Sequence, residues 1–225
     1  MNKIKLKETL TGYAAEEAIK TLRTNLQFCG GEKRVILVTS CIPEEGKTTV
    51  ALKLAQSLSE LQKRVLLIDA DLRKSVLPTR LQGGKIKYGL SHFLSGQTGL
   101  AEIITKTDIT NFHIMFAGAG VPNPTELLSD TRLEQTVEKL REVYDYIIID
   151  SAPLGLVIDA VILAKYCDGA VLIIEEGRIR YKMAQEVKKK LERTGCPILG
   201  VVLNKVSMKK QHGYYQEEYK NYKYE

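Results

Sequence analysis

Residues 35–49 read VILVTSCIPEEGKTT: a short β-branched run, a loop of small and acidic residues, then Gly46-Lys47-Thr48 opening a helical pattern. Strand, loop and helix in that order are what a phosphate-binding loop requires. The N–H groups of the loop and of the helix's first turn point inward and the helix dipole adds partial positive charge, so phosphate oxygens are held there. Lys47 has the reach for the β- and γ-phosphates, and the Thr48 hydroxyl is placed to ligate Mg²⁺. The spacing follows G-x-x-x-x-G-K-[ST] except at the first glycine, where Cys41 stands. The flanking strand and helix argue against a chance Gly-Lys-Thr, and an NTP site is the expectation from which the rest of the reading proceeds.

Composition sets the frame. A chain of 225 residues with 44% hydrophobic content buries a substantial core and is read as one α/β domain. No run of about 18 apolar residues occurs, and the start, MNKIKLKETL, lacks the apolar stretch of a signal peptide. A cytoplasmic protein is therefore expected. Cys29, Cys41, Cys167 and Cys196 have neither C-x-x-C spacing nor histidine partners, which fits reduced thiols acting as small hydrophobes rather than a metal site. The net charge of +6 would suit nucleic acid or an anionic membrane, yet Lys and Arg are mostly interspersed with acids. Lys188-Lys189-Lys190 is the exception and reads as a solvated helix face. No nucleic-acid partner is expected.

Residues 13–28 place Ala14, Ala18, Leu22 and Leu26 at i, i+4 spacing, an amphipathic helix that Gly30-Gly31 stops. Strand-like runs follow at 35–39, 65–70, 112–116, 146–150, 169–174 and 198–203, nearly continuous in apolar content, as parallel strands covered on both faces should be. Helical patterns lie between them at 48–61, 124–143 and 180–193. The sum is a doubly wound, mostly parallel sheet with its ligand outside the carboxyl ends of the strands. Residues 72–98 read as an irregular excursion with one short helix near 90–94. From Lys205 the hydrophobic periodicity is lost, which reads as a flexible tail. The domain division expected is 1–33, an N-terminal helical segment; 34–205, the nucleotide-binding domain; and 206–225, the tail.

Two strands end in aspartate: LLIDADLR carries Asp69 and Asp71, and YIIID carries Asp150. A lone strand-end Asp is as readily a turn former or helix cap; three beside a phosphate loop point to a Mg²⁺ site, with Asp69 and Asp150 opposite the Thr48 hydroxyl. A second acid in DAD exceeds what ATP binding needs. It can take a proton from an incoming hydroxyl or orient it for in-line attack, a role for Asp69 first and Asp71 second.

Five of the eleven tyrosines, Tyr214, Tyr215, Tyr219, Tyr222 and Tyr224, fall at the end of the chain among Glu, Lys and Asn. No core is on offer there to bury their rings. A stacking platform for single-stranded nucleic acid needs a rigid fold beneath it, so hydroxyls on a tether fit phosphate acceptors better.

These motifs in this order resemble the bacterial tyrosine kinases that act with capsular and exopolysaccharide export systems, in the form where the kinase is a separate protein. The resemblance spans essentially the whole chain. It rests on TSCIPEEGKTT (39–49, Walker A), LLIDADLRKS (66–75, Walker A′), GLSHFLSG (89–96), VPNPTELL (121–128), IIIDSAP (147–153, Walker B), GVVLNKV (200–206) and the tyrosine cluster. It implies MgATP-dependent autophosphorylation of the tail in trans within a ring-shaped oligomer, with Lys47, Asp69, Asp71 and Asp150 catalytic. It also implies nucleotide contacts from Pro43, Glu44, Glu45, Gly46, Lys47, Thr48, Thr49 and Asn204, and oligomer contacts from Glu17, Lys20 and Arg23, where Lys20 departs from the family's E-x-x-R-x-x-R. Its implied partners are a membrane-anchored activator of the polysaccharide co-polymerase type and a tyrosine phosphatase, in a role controlling polysaccharide assembly. Two alternatives stay open. Partition and cell-division ATPases share this deviant Walker fold but carry a signature lysine where Ile42 stands, and lack a tyrosine tail. A nucleotide-gated adaptor would bind ATP without transferring phosphate, but it has no need of Lys47 and all three acids.

Overall fold

The same strands build two apolar layers, one on each face of the sheet. The computed structural model describes residues 3–7 and 12–207. In chain order the elements are β1 (Lys3–Leu6), α1 (Tyr13–Phe28), β2 (Val35–Ser40), α2 (Lys47–Glu60), β3 (Val65–Asp69), a 3-10 turn (Leu77–Arg80), β4 (Leu81–Gly83), α3 (Leu90–Leu94), α4 (Leu100–Ile103), β5 (Ile104–Thr107), β6 (Phe112–Met115), α5 (Pro124–Leu128), α6 (Thr131–Arg141), β7 (Tyr146–Asp150), α7 (Asp159–Ala164), β8 (Gly169–Glu175), α8 (Tyr181–Glu192) and β9 (Ile198–Asn204). The nine strands lie in the order β4-β1-β5-β6-β3-β7-β2-β8-β9. From β6 to β9 every neighbouring pair is parallel, and antiparallel pairing is confined to β5 with β6 and β1 with β4.

The lack of polar alternation in the central strands follows from this double coverage. In β2, Val35 and Leu37 enter the layer beneath α6, α7 and α8, while Ile36 and Val38 enter the layer beneath α1 and α2. Adjacent residues of β3, β7 and β8 divide between the two layers in the same way. Each such Val, Leu or Ile contributes about 2 kcal/mol of burial, so a polar residue on either face is costly. The doubly wound, mostly parallel sheet expected from the sequence is thus what the chain forms.

The departures are local. The helical pattern read over 124–143 is two helices, because Asp130 takes an extended backbone and its side chain accepts from Arg132 N (2.7 Å), capping α6 anew. The stripe read on α1 buries only its C-terminal half: Leu26 joins the core and Leu22 packs on it, but Ala14 and Ala18 are exposed. The excursion at 72–98 contains the 3-10 turn and β4, besides the short helix at Leu90–Leu94 that was expected. Residues 3–6 lie inside the sheet, with Ile4 and Leu6 in the α1–α2 layer. The tyrosines from 214 onward lie outside the described residues. No helix among the described residues is long and apolar enough to cross a membrane.

Candidate phosphate-transfer site

Residues 41–46 join β2, which lies between β7 and β8 in the parallel part of the sheet, to α2. The loop is organised around Glu45, which is fully buried. Its Oε2 accepts from Cys41 N (2.7 Å) and Ile42 N (2.8 Å), and its Oε1 accepts from Glu175 N at the end of β8 (3.1 Å). Asn204, at the end of β9, donates from Nδ2 to Glu45 O (2.8 Å). The loop is therefore held from below by one carboxylate and from the side by two strands. The Glu45 side chain is thus taken up by loop and strand N–H groups of its own chain. Gly46 is required twice over: its φ is +93°, and a Cβ there would lie 2.1 Å from Asn204 Nδ2. Pro43 and Glu44 are exposed, Glu44 with its carbonyl accepting from Lys205 Nζ (2.7 Å). Thr49 Oγ1 accepts from Arg80 Nη2 (3.0 Å). Cys41 is buried with its thiol pushed up to about 12, by burial and then by the Glu45 charge, so it is no nucleophile.

Strand register brings the acids together. β3 and β7 are neighbours, and Asp69 and Asp150 are partners across them. Thr48 sits close enough to Asp150 to lower its carboxyl's pKa, and Lys47 Nζ lies 3.2 Å from Asp71 Oδ2 with both side chains almost wholly buried. Asp69 Oδ2 accepts a very short hydrogen bond from Ser75, and its Oδ1 accepts from Asp71 N (3.3 Å). Asp71 Oδ1 accepts from Lys74 N (3.0 Å), so residues 69–75 form a cross-braced turn. Burial pushes the Asp69 carboxyl up to about 7, the Asp150 charge adding to it and the Ser75 hydrogen bond opposing it. Burial likewise pushes Asp150 up to about 6, against the pull of Lys47 and the Thr48 hydrogen bond. Asp150 Oδ1 is buried without a hydrogen-bond partner. Three buried carboxylates, one buried ammonium and an acceptor with nothing to accept form a site built for a polyanion accompanied by a cation.

Two features escape a sequence reading. Glu45 as the loop's brace is one; an acid directly before the loop glycine would repel phosphate, which is the single hint that it turns inward. The other is a clamp: Arg73 donates to Asp159 through Nε (2.7 Å) and Nη2 (2.9 Å), and Thr125 donates to the same carboxylate (3.2 Å). That ties the A′ turn to the starts of α5 and α7 from segments far apart in the chain. Of the residues read as oligomer contacts, Glu17 and Lys20 pair with each other (2.7 Å) on an exposed face, whereas Arg23 donates to the Ser57 carbonyl and hydroxyl (both 2.9 Å) within its own chain. A hollow of about 660 Å³ lies between β4, Tyr88 and Gly118, and none of the Walker residues lines it.

Comparison with known proteins agrees with this geometry. A family profile described as an AAA domain matches residues 34–179. The chain is 41% identical over 193 residues to the tyrosine-protein kinase CpsD of Streptococcus agalactiae serotype Ia, covering 85% of this chain and 83% of that one. Its structure is similar to the kinase domain of the Escherichia coli tyrosine kinase ETK, with a TM-score of 0.78 and 31% identity over 86% of this chain and 78% of the other. It is also similar to the septum site-determining protein MinD of Pyrococcus horikoshii, solved with Mg-ADP, with a TM-score of 0.65 and 29% identity over 76% of this chain and 69% of that one.

Proposed function

This chain belongs to the bacterial tyrosine-protein kinases, and we propose that it transfers the γ-phosphoryl group of ATP to its own Tyr214, Tyr215, Tyr219, Tyr222 and Tyr224. The observation that carries the reading is the register pairing of Asp69 with Asp150 at strand ends facing Gly46-Lys47-Thr48. Loop N–H groups and the start of α2 orient the phosphates, with Asn204 fixing the loop from the side. Lys47, now shared with Asp71, brings its charge to the β–γ bridge. Asp69 accepts the phenolic proton as the tyrosine oxygen bonds to Pγ and the bond from Pγ to the ADP oxygen breaks. Asp71 is committed to Lys47 and to Lys74 N, which favours Asp69 as the base.

Mg²⁺ fits the donor set. Thr48 and Asp150, with Asp69 directly or through water, would hold it, and the unpartnered Asp150 Oδ1 is an acceptor of the right kind. No group of three or more His, Cys, Asp or Glu suited to a metal occurs among the described residues. A cation there would be bound through one or two carboxylates and completed by phosphate oxygens and water. When bound, it neutralises charge on the transferring phosphate.

Around this reaction we place trans-phosphorylation in a ring, with the exposed Glu17 and Lys20 of α1 facing a neighbour. A membrane-anchored activator recruits the chain to the inner face of the membrane, a tyrosine phosphatase reverses the modification, and the cycle controls capsular or exopolysaccharide synthesis. The test is intact mass after incubation with MgATP, before and after phosphotyrosine phosphatase. Each phosphate adds about 80 Da, and the expected result is a ladder that the phosphatase collapses and that a variant with all five tail tyrosines changed to Phe lacks. Undiminished phosphotyrosine in that variant moves the acceptor elsewhere, to Tyr13 or Tyr88. An unmodified mass with ATP hydrolysis, unchanged by an activator's cytoplasmic segment, returns the chain to the MinD-like switch reading.

A further inference from the structure

We propose that the groove between α7 and α8 is a docking site for an acidic peptide segment with apolar anchors, carried by a partner protein. The groove is a hollow of about 490 Å³ on the face of the sheet opposite α1 and α2. Its floor includes Leu156, Ile158 and Val161, and its rim carries Lys165, Lys190 and Arg193. Leu156 and Ile158 are 62% and 56% exposed, large apolar side chains that the fold leaves uncovered. The three cations form no ion pair among the described residues, although Lys188 beside them is paired with Glu192 (3.0 Å). No carboxylate lines the hollow. Unpartnered apolar side chains ringed by unpaired positive charge complement Leu- or Phe-type anchors flanked by Asp or Glu. The surface is concave, whereas insertion into a lipid surface uses an apolar face that projects outward; a peptide is the occupant that fits.

The groove is also joined to the site. Leu154 N donates to Ser40 O (2.8 Å), and a Cβ on Gly155 would lie 2.0 Å from Cys41 O, so the segment flooring the groove rests against the phosphate loop. At its far end Asp159 grips Arg73 of the A′ turn. An occupant pressing on Leu156 and Ile158 therefore bears on both loops that face the nucleotide.

The test is binding and does not depend on kinase activity. Random peptides displayed on phage are selected against the full chain, and the strongest is synthesised with a fluorescent label for anisotropy. Sequences pairing Leu, Ile or Phe with Asp or Glu are expected. The triple charge reversal K165E/K190E/R193E, all at exposed positions, should weaken binding about tenfold or more, and Leu156→Ala should weaken it without changing its salt dependence. Binders lacking acids, or binders unaffected by these substitutions, overturn the proposal. So does a phosphorylated 208–225 peptide that displaces the selected one and binds more tightly, which would make the chain's own tail the occupant. Phosphatidylglycerol vesicles bound by the wild type and released by the triple variant, with no peptide selected, would assign the surface to a membrane instead.

Discussion

Replacing Asp69 by Asn should abolish tyrosine phosphorylation while stabilising the protein free of nucleotide and Mg²⁺, and the stabilisation should grow with pH. Asp69 is buried beside Asp150 and its carboxyl is pushed from the ordinary 3.8 up to about 7, chiefly by burial. An acid raised in this way keeps its proton in the fold at pH values where the unfolded chain has lost it. Stability is therefore fullest below 3.8 and falls as pH rises to about 7. A displacement of roughly three pH units corresponds to about 4 kcal/mol lost by pH 8, less whatever local relaxation returns, so about 2–4 kcal/mol. Asn keeps the shape without the charge: its oxygen can accept from Asp71 N and its NH₂ can donate to Ser75 Oγ, replacing both hydrogen bonds of the carboxylate.

Urea unfolding in EDTA at pH 5 and pH 8 measures this directly. The variant should gain about 2–4 kcal/mol at pH 8 and less than about half of that at pH 5, the latter because much of the displacement is not yet felt. In a thermal scan the pH 8 gain is roughly 4–16 °C for a chain of this size. Millimolar Mg²⁺ should then raise the wild-type melting temperature at pH 8 by more than the variant's. A variant no more stable than wild type at pH 8, or a gain that ignores pH, would refute the reasoning that the fold holds the Asp69 carboxyl buried against the cost of its charge.

Other substitutions separate support from chemistry. Lys47→Met removes the buried counter-charge of Asp71 and should bring MgATP-dependent phosphotyrosine to background in the intact-mass assay. Gly46→Ala forces a side chain into left-handed backbone and against Asn204; calorimetry should show ATP binding lost, with a stability cost of about 1–3 kcal/mol in urea. Glu45→Ala leaves three N–H groups, one buried and two partly buried, without their acceptor and should cost about 2–3 kcal/mol. Glu45→Gln should fall between, since its oxygen can serve Cys41 N and Ile42 N while its NH₂ opposes the N–H of Glu175; hydrogen exchange should locate the loosening at 41–45 and 175.

The central fold was legible because burial on both faces writes long apolar runs: β2, β3, β7 and β8 lie within a residue of their expected bounds. The edges were not. β1 is KIKL, four residues in which exposed Lys3 and Lys5 alternate with buried Ile4 and Leu6, too short for the alternation to register. β5 is ITKT and nearly polar, held by its neighbours β1 and β6. α7 hides in LGLVIDAVILA, where apolar residues on every side erase the helical period. In the site, residues that meet a ligand were readable from motif spacing, since phosphate geometry dictates which types follow one another. Residues that hold those residues still were not, because Glu45, Arg73, Asp159 and Ser75 find their partners through the fold.

Those braces explain why the acids can be held at all. Asp69, Asp71 and Asp150 converge within a buried space, and left to relax, they would separate or draw in water. Ser75 and Asp71 N pin Asp69, Lys47 and Lys74 N pin Asp71, and the sheet register pins Asp150. Arg73 anchors the whole A′ turn to Asp159, a carboxylate buried at the start of α7 and matched by a bidentate guanidinium. The cost of burying these charges is thereby held in a rigid frame rather than relieved, and a bound cation would meet carboxylates that need no rearranging. On this argument Asp159→Asn, outside the phosphate loop, should lower phosphoryl transfer more than ATP affinity, because it frees the turn carrying the base while leaving the phosphate loop braced by Glu45.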